Sequence, residues 1–99
     1  MLSSKQRAYL RGLANKENAI FQIGKSGISE EILTELDIVL EKRELIKLSV
    51  LETSFMTARG ACEAVCEELG AEPVQCIGNK FVIYRMARAK DNRKIVLPK

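Results

Sequence analysis

Ala19-Ile20-Phe21-Gln22-Ile23, then Gly24-Lys25-Ser26-Gly27, then Ile28-Ser29-Glu30-Glu31, is the stretch on which the fold turns. Its first five residues are a short apolar run rich in strand formers, and they read as a first strand that is at least partly buried. Two glycines three apart break the run, since glycine takes turn angles that a Cβ forbids. Ser29 is a good helix N-cap, Ile28 before it can staple onto Leu33, and Glu30 and Glu31 suit the positive end of a helix dipole. A strand, a glycine turn and a helix in direct succession predict an α/β domain.

Downstream, that second helix runs to about Arg43. It turns Ile32, Leu33, Leu36, Val39 and Leu40 inward, with Lys42 and Arg43 in its last turn. Leu45 to Leu51 is a second strand: Ile46, Leu48 and Val50 point one way, Lys47 and Ser49 the other. The alternation suggests one packed sheet face and one open to solvent. A third helix covers roughly 56–69, with Thr53 or Ser54 near its cap and Gly70 as its stop. Pro73 opens a third strand, Val74-Gln75-Cys76-Ile77, and Gly78-Asn79 turns it into a fourth, Lys80 to Arg85. Four successive apolar residues, Phe81 to Tyr84, mark that last strand as central.

Upstream, Ser3 and Gln6 form a capping box for a first helix reaching about Asn15. It should bury Gln6, Tyr9, Leu10 and Leu13 and carry Arg7 and Arg11, four apart, on one face. Ala87 to Lys94 is polar and basic and reads as a mobile tail, although Ile95-Val96-Leu97 could dock back. The order αβαβαββ predicts one layered α/β domain over residues 1–86, its parallel strands joined by right-handed crossovers, and a basic C-terminal tail over 87–99.

The 99 residues suffice for one domain, and 46% hydrophobic with 29% charged residues is the profile of a folded globule. No apolar run has the roughly 18 residues of a membrane span. The N-terminus has no hydrophobic signal region. Its basic residues, Lys5, Arg7, Arg11 and Lys16, faintly resemble a mitochondrial presequence, but the capping box favours a structural helix. Three cysteines, an odd number, suit a reducing cytoplasm. The absence of histidine removes the commonest general base and metal ligand, which points away from an enzyme.

The net charge of +3 is unevenly placed. Residues 1–16 hold four basic side chains and no acid, residues 80–99 hold seven basic and one acid, and residues 17–79 hold five basic and twelve acidic. If the termini meet in space, they form one basic surface attractive to a polyanion such as RNA. Glu63, Glu67, Glu68 and Glu72 make the third helix acidic, which would steer RNA to the other side.

The glycine turn can bring a phosphate backbone close to exposed amides, with Lys25 adding charge, Ser26 a hydroxyl, and a helix N-terminus just beyond. Gly24-Lys25-Ser26 also matches the end of a P-loop, but Ala19 stands at the first glycine and Ile20 to Ile23 are strand-like, so no nucleotide cradle forms. Cys62 and Cys66 share one helix face and with Cys76 could offer three thiolates. With no histidine and no C-x-x-C they read instead as small core residues, and no metal or other cofactor is expected.

Several segments together carry a family resemblance: Lys5-Gln6-Arg7, Arg11-Gly12-Leu13-Ala14, Ile23 to Ser29, Glu44-Leu45-Ile46-Lys47-Leu48, Gly70-Ala71, Val74-Gln75, Ile77-Gly78, Tyr84-Arg85 and Leu97-Pro98. In order and spacing the chain resembles the CRM domain (chloroplast RNA splicing and ribosome maturation), in its stand-alone bacterial YhbY-type form. The resemblance implies a two-layer αβαβαββ domain like the C-terminal domain of translation initiation factor three. Its mixed four-stranded sheet would run in the order 1-2-4-3, with strand four antiparallel to the rest. It also implies RNA binding, with the family's GxxG loop falling on Gly24, Lys25, Ser26 and Gly27, and an association with precursors of the large ribosomal subunit. The likeness of this loop to that of KH domains is local, because there it joins two helices. Ser49 stands where relatives often carry a further basic residue, which lessens the expected role of the sheet face.

The expected function is therefore non-catalytic binding of structured ribosomal RNA during large-subunit assembly, by a cytoplasmic monomer needing neither membrane nor small-molecule substrate. Lys5, Arg7 and Arg11 on the first helix, Lys47 on the sheet and Arg85 before the tail would extend the footprint of the loop. With Tyr9 and Tyr84 assigned largely to the core, shape and phosphate recognition should outweigh base reading. The alternative is a protein adaptor that docks on ribosomal or assembly proteins.

Overall fold

A computed structural model describes residues 2–99. The elements run α1 (Ser4–Ala14), β1 (Phe21–Ile23), α2 (Glu30–Arg43), β2 (Leu45–Val50), a 3₁₀ turn (Glu52–Ser54), α3 (Ala58–Leu69), β3 (Glu72–Ile77), β4 (Lys80–Tyr84) and a second 3₁₀ turn (Lys90–Asn92). The four strands form one mixed sheet in the order β1-β2-β4-β3. β1 and β2 are parallel, and β4 is antiparallel to both β2 and β3. Strand order and the central place of β4 are as expected.

The helix caps follow the sequence. Ser3 Oγ accepts from Gln6 N–H and Gln6 Oε1 from Ser3 N–H, each at 3.1 Å. Ser29 Oγ accepts from Ile32 N–H at 3.2 Å, and Gly70 ends α3 at φ +65°. α3 starts later than expected, at Ala58. Phe55 takes a left-handed φ of +60° that breaks the chain, and Thr57 rather than Thr53 or Ser54 caps the helix, its Oγ1 accepting from Gly60 N–H at 3.0 Å. β3 starts earlier, at Glu72, with an irregularity between Pro73 and Gln75; an edge strand tolerates a proline that cannot donate.

Ile23, Ile46, Leu48, Val50, Phe81 and Ile83 face α2 and α3 and make the larger core with Leu36, Leu40, Ala61 and Val65. The opposite face is not simply open. α1 lies across it, and Leu10, Ala14 and Leu2 bury Leu45, Val74, Val82 and Tyr84, with Ile95 and Leu97 packed alongside. The sheet therefore has helices on both sides, and the face that the alternation in β2 suggested was open to solvent is partly covered by α1. The run Phe81–Tyr84 is apolar at every position because both of its faces are covered.

Residues 87–94, expected as a mobile tail, are fastened to the domain. Glu44, fully buried at φ +65°, accepts N–H bonds from Ala87 (2.8 Å), Lys94 (2.7 Å) and Ile95 (2.9 Å). Glu41 accepts from the amides of Arg88 (2.8 Å) and Ala89 (3.0 Å) and from Asn92 Nδ2 (2.9 Å). Of the apolar trio, Ile95 and Leu97 dock and Val96 stays exposed. Cys62 and Cys66 are core residues, and Cys76 is exposed on the edge strand. Hydrogen bonding to Cys62 and burial push the Cys66 thiol up, so it stays protonated.

Candidate nucleic-acid interface

Gly24 to Gly27 closes as a four-residue turn, with Gly27 N–H donating to Gly24 C=O at 2.9 Å. Lys25 and Ser26 are exposed at its tip. The two glycines differ in what the fold asks of them. Gly27 sits at φ +66°, where a side chain is strained. Gly24 has no positive φ, and a Cβ there would meet only Leu51 Cδ1 at 3.6 Å, an ordinary contact. Neither backbone angle nor packing therefore requires glycine at position 24. The end of α2 beyond the turn is a poorer anion site than expected: Ser29 already satisfies one of its amides, and Glu30 and Glu31 stand exposed in its first turn.

The turn shares its end of the sheet with two other connections. Leu51 N–H donates to Ile23 C=O at 2.9 Å, which lays residues 51–57 beside the turn. Val50 N–H donates to Asn79 C=O at 2.7 Å, which brings the β3–β4 hairpin to the same end.

The uncovered part of the α1-side sheet face holds the basic residues nearest this end. Lys47 and Lys80 lie on that face of β2 and β4, diagonal to one another, since Lys47 pairs with Val82 and Lys80 with Ser49. Both line a shallow groove with Asn15, Gln75 and Ile77. Gln75 also lines a second groove across the β3 edge, shared by Arg7, Arg59, Cys76 and one acid, Glu63. Lys47 and Arg7, singled out from sequence, are thus joined through Gln75 with two cations that were not, Lys80 and Arg59. Lys80 and Arg59 could have been found by strand and helix position: Lys80 is on the parity of Val82, and Arg59 is in the first turn of α3. Lys5 is exposed and Arg11 half-buried on α1, and no contact ties either of them to the turn.

The chain termini do meet, as a joint basic surface requires. Gln6 Nε2 donates to Pro98 C=O at 3.1 Å, and Lys16 and Lys94 flank one groove together with Arg43. Arg85 is the exception and corrects the expected footprint. Its side chain is only 8% exposed; it pairs with Asp37 Oδ1 at 2.7 Å and donates to the carbonyls of Asp37 (3.0 Å) and Leu69 (3.2 Å). Its guanidinium is spent inside the domain, tying β4 to α2 and α3. The Arg85 hydrogen bond, followed by that from Arg88, holds the Asp37 carboxyl below its ordinary range.

A further feature was missed altogether: the ring of Phe55, beside the turn, is 94% exposed.

Residues 2–85 match the model of the CRS1 / YhbY (CRM) domain. The chain belongs to the CRM family. Over 98 residues this CRM protein is 38% identical to the "Probable RNA-binding protein YqeI" of Bacillus subtilis, a match covering 99% of this chain and 100% of the relative. It is 36% identical to an "RNA-binding protein" of Haemophilus influenzae, covering 99% and 96% of the two chains. The solution structure of a hypothetical Staphylococcus aureus protein, described as a candidate RNA binder, superposes with a TM-score of 0.78 at 45% identity, covering 99% and 100% of the two chains. The CRM fold read from the residues is thus shared with relatives of the same length that carry RNA-binding names.

Proposed function

We propose that this CRM protein is a non-catalytic binder of structured ribosomal RNA that assists assembly of the large ribosomal subunit as a cytoplasmic monomer. The observation that carries the reading is the turn at residues 24–27. Its Gly24 backbone is bare without any demand from the fold, Lys25 stands at its tip, and Lys47 and Lys80 lie on the sheet face that opens toward the same end. A phosphate can approach the Gly24–Lys25 backbone more closely than any side chain would allow, with Lys25 as a point charge on it. Lys47 and Lys80, then Arg7 and Arg59 past Gln75, would take further phosphates along the strand, and Lys5 and Arg11 would add to the field from α1. The family membership and the names of the relatives support RNA as the partner.

Crosslinking and sequencing of RNA bound to the tagged protein in cells tests this, with a Gly24→Ala variant, and a Gly24→Ala/Gly27→Ala variant, as controls. Discrete large-subunit sites that fade in a variant whose fold is intact by circular dichroism support the reading. Diffuse signal of equal strength in all forms would reject it, and nuclease-resistant co-purification with one protein would put an adaptor role in its place.

A further inference from the structure

We propose that Phe55 is a base-stacking residue, its ring taking one unpaired nucleotide of the RNA whose backbone passes the Gly24–Gly27 turn; this rests on the function proposed above. The other two phenylalanines serve the core: Phe81 is 1% exposed and Phe21 packs against the larger cluster. Among the phenylalanines Phe55 alone leaves its ring in water; Tyr9, expected in the buried stripe of α1, is instead 43% exposed, but on the helix. Phe55 does so from a left-handed backbone, φ +60°, where a bulky residue is a true outlier and glycine or asparagine would be at ease. The 3₁₀ turn that it ends is closed by backbone bonds alone, Ser54 N–H to Leu51 C=O at 3.0 Å and Phe55 N–H to Glu52 C=O at 3.4 Å, so the fold asks for no ring at this place. A strained residue whose side chain does nothing for the core is the kind of outlier from which function is inferred.

The residues around Phe55 are held firmly, and they hold it beside the turn. Leu51 reaches Gly24, and Met56 Sδ lies 3.9 Å from where a Cβ on Gly27 would stand. Ser54 is buried, and its Oγ accepts from Met56 N–H at 3.1 Å. Phe55 Cα is therefore one trans peptide, about 3.8 Å, from a residue packed on the second glycine. The only acid in residues 51–57 is Glu52. A phenyl ring has no polar atom with which to choose among bases, but every base has a face to lay on it. In a continuous duplex those faces are already stacked, so the ring selects RNA with an unpaired loop or bulge next to the phosphates at Gly24. This adds a stacking contact to the phosphate and shape recognition expected from sequence, where Tyr9 and Tyr84 were the aromatics considered.

The chain has no tryptophan, so Phe55→Trp places a single tryptophan, excited selectively over Tyr9 and Tyr84, at the site. The probes are a labelled hairpin RNA with an oligoadenosine loop and a loop-free duplex of the same stem, at low salt, followed by RNA anisotropy and by tryptophan emission. Quenching that saturates together with the hairpin anisotropy is expected, with far weaker quenching by the duplex. Phe55→Ala should weaken hairpin binding about 5- to 150-fold, Phe55→Tyr should nearly restore it, and duplex binding should not change. Hairpin binding that is lost in Lys25→Ala, yet equal in Phe55→Ala and the parent and without quenching, overturns the stacking role and leaves the proposed function standing; a ring that docks on protein would give that result. Failure of every form to bind either RNA overturns both.

Discussion

Replacing Glu44 should detach the C-terminal segment and weaken the whole domain. The carboxylate is fully buried and accepts three amide N–H groups, from Ala87, Lys94 and Ile95, at 2.7–2.9 Å. Hydrogen bonds to a charged group contribute roughly 1.5–3 kcal/mol each, which sets a gross ceiling near 4.5–9 kcal/mol. The real loss is smaller, because residues 87–97 can swing out and return their amides to water, so the cost cannot exceed the worth of docking. That worth includes the partial burial of Ile95 and Leu97. About 3 kcal/mol for Glu44→Ala is therefore expected, and about 1–2 kcal/mol for Glu44→Gln, which keeps the shape and one acceptor oxygen. A domain of this size has a total stability of only about 5–15 kcal/mol, so the effect is easily read by urea unfolding. Hydrogen exchange at Ala87, Lys94 and Ile95 gives the local signal. Glu44→Ala with unchanged unfolding midpoint and still-protected amides would refute the claim that this carboxylate holds the segment.

Acid should release the same segment. Burial pushes the Glu44 carboxyl up, but the three amides and Arg93 outweigh it and leave the pKa lowered; Glu41 is pulled down to about 2, first by Asn92 and then by the amides of Arg88 and Ala89. Both are carboxylates with depressed folded values, so their stabilisation is present above the ordinary carboxyl pKa and fades as pH falls through the folded one. Exchange protection at Arg88 and Ala89 should decline between about pH 4.5 and about pH 2, while amides in β2 and β4 hold longer. Gly27→Ala should cost about 1–2 kcal/mol from its left-handed angle, whereas Gly24→Ala should stay within about 0.5 kcal/mol and still lower RNA affinity; equal RNA binding by Gly24→Ala and the parent would argue against close backbone approach. Lys25→Ala with Arg11→Ala should weaken RNA binding at moderate salt without unfolding the domain. Lys47→Ala and Lys80→Ala should each reduce the slope of log affinity against log salt by about one, and an unchanged slope would remove the sheet face from the interface.

Local chemistry made the caps, the turn and the central strand readable, because Ser3, Ser29, the Gly24–Gly27 pair and the run Phe81–Tyr84 act within a few residues. The strand order entered through the family resemblance, and the register agrees with it. What escaped depended on distance or on a residue acting against its propensity. Glu44 reaches amides 43 to 51 residues away, so apart from the apolar trio Ile95–Leu97 nothing near residues 87–97 announced that they were held. One signal was present: Asp37, Glu41 and Glu44 follow helical spacing along the margin of the Leu36–Leu40 stripe, an acidic row too close to the core to be merely solvated. Phe55 escaped because nothing in a phenylalanine predicts a left-handed backbone. The cover on the second sheet face could have been inferred, since Leu45, Val82 and Tyr84 would otherwise sit on a bare surface.

The acidic row also changes what the charge count means. Seven basic side chains after residue 79 looked like a free cationic end, but Arg85 is buried on Asp37 and Arg88 joins it at 3.1 Å although 66% exposed. Arg93 Nε donates to Ala87 C=O at 2.8 Å and so helps fold the segment on itself. Asp37 of the middle and Arg85 and Arg88 of the end are therefore used on each other, on the α2 side. Lys80, by contrast, faces the open sheet beside Lys47, and Arg7 and Arg59 lie past Gln75 at the edge. Net charge near α2 is reduced by this pairing, while Lys47 and Lys80 on the α1 side of the sheet take part in no ion pair among the described residues. On the interface proposed above, a polyanion approaching the domain would be steered toward the sheet face and the turn at Gly24, and the docking of the C-terminal segment on α2 would help set that direction.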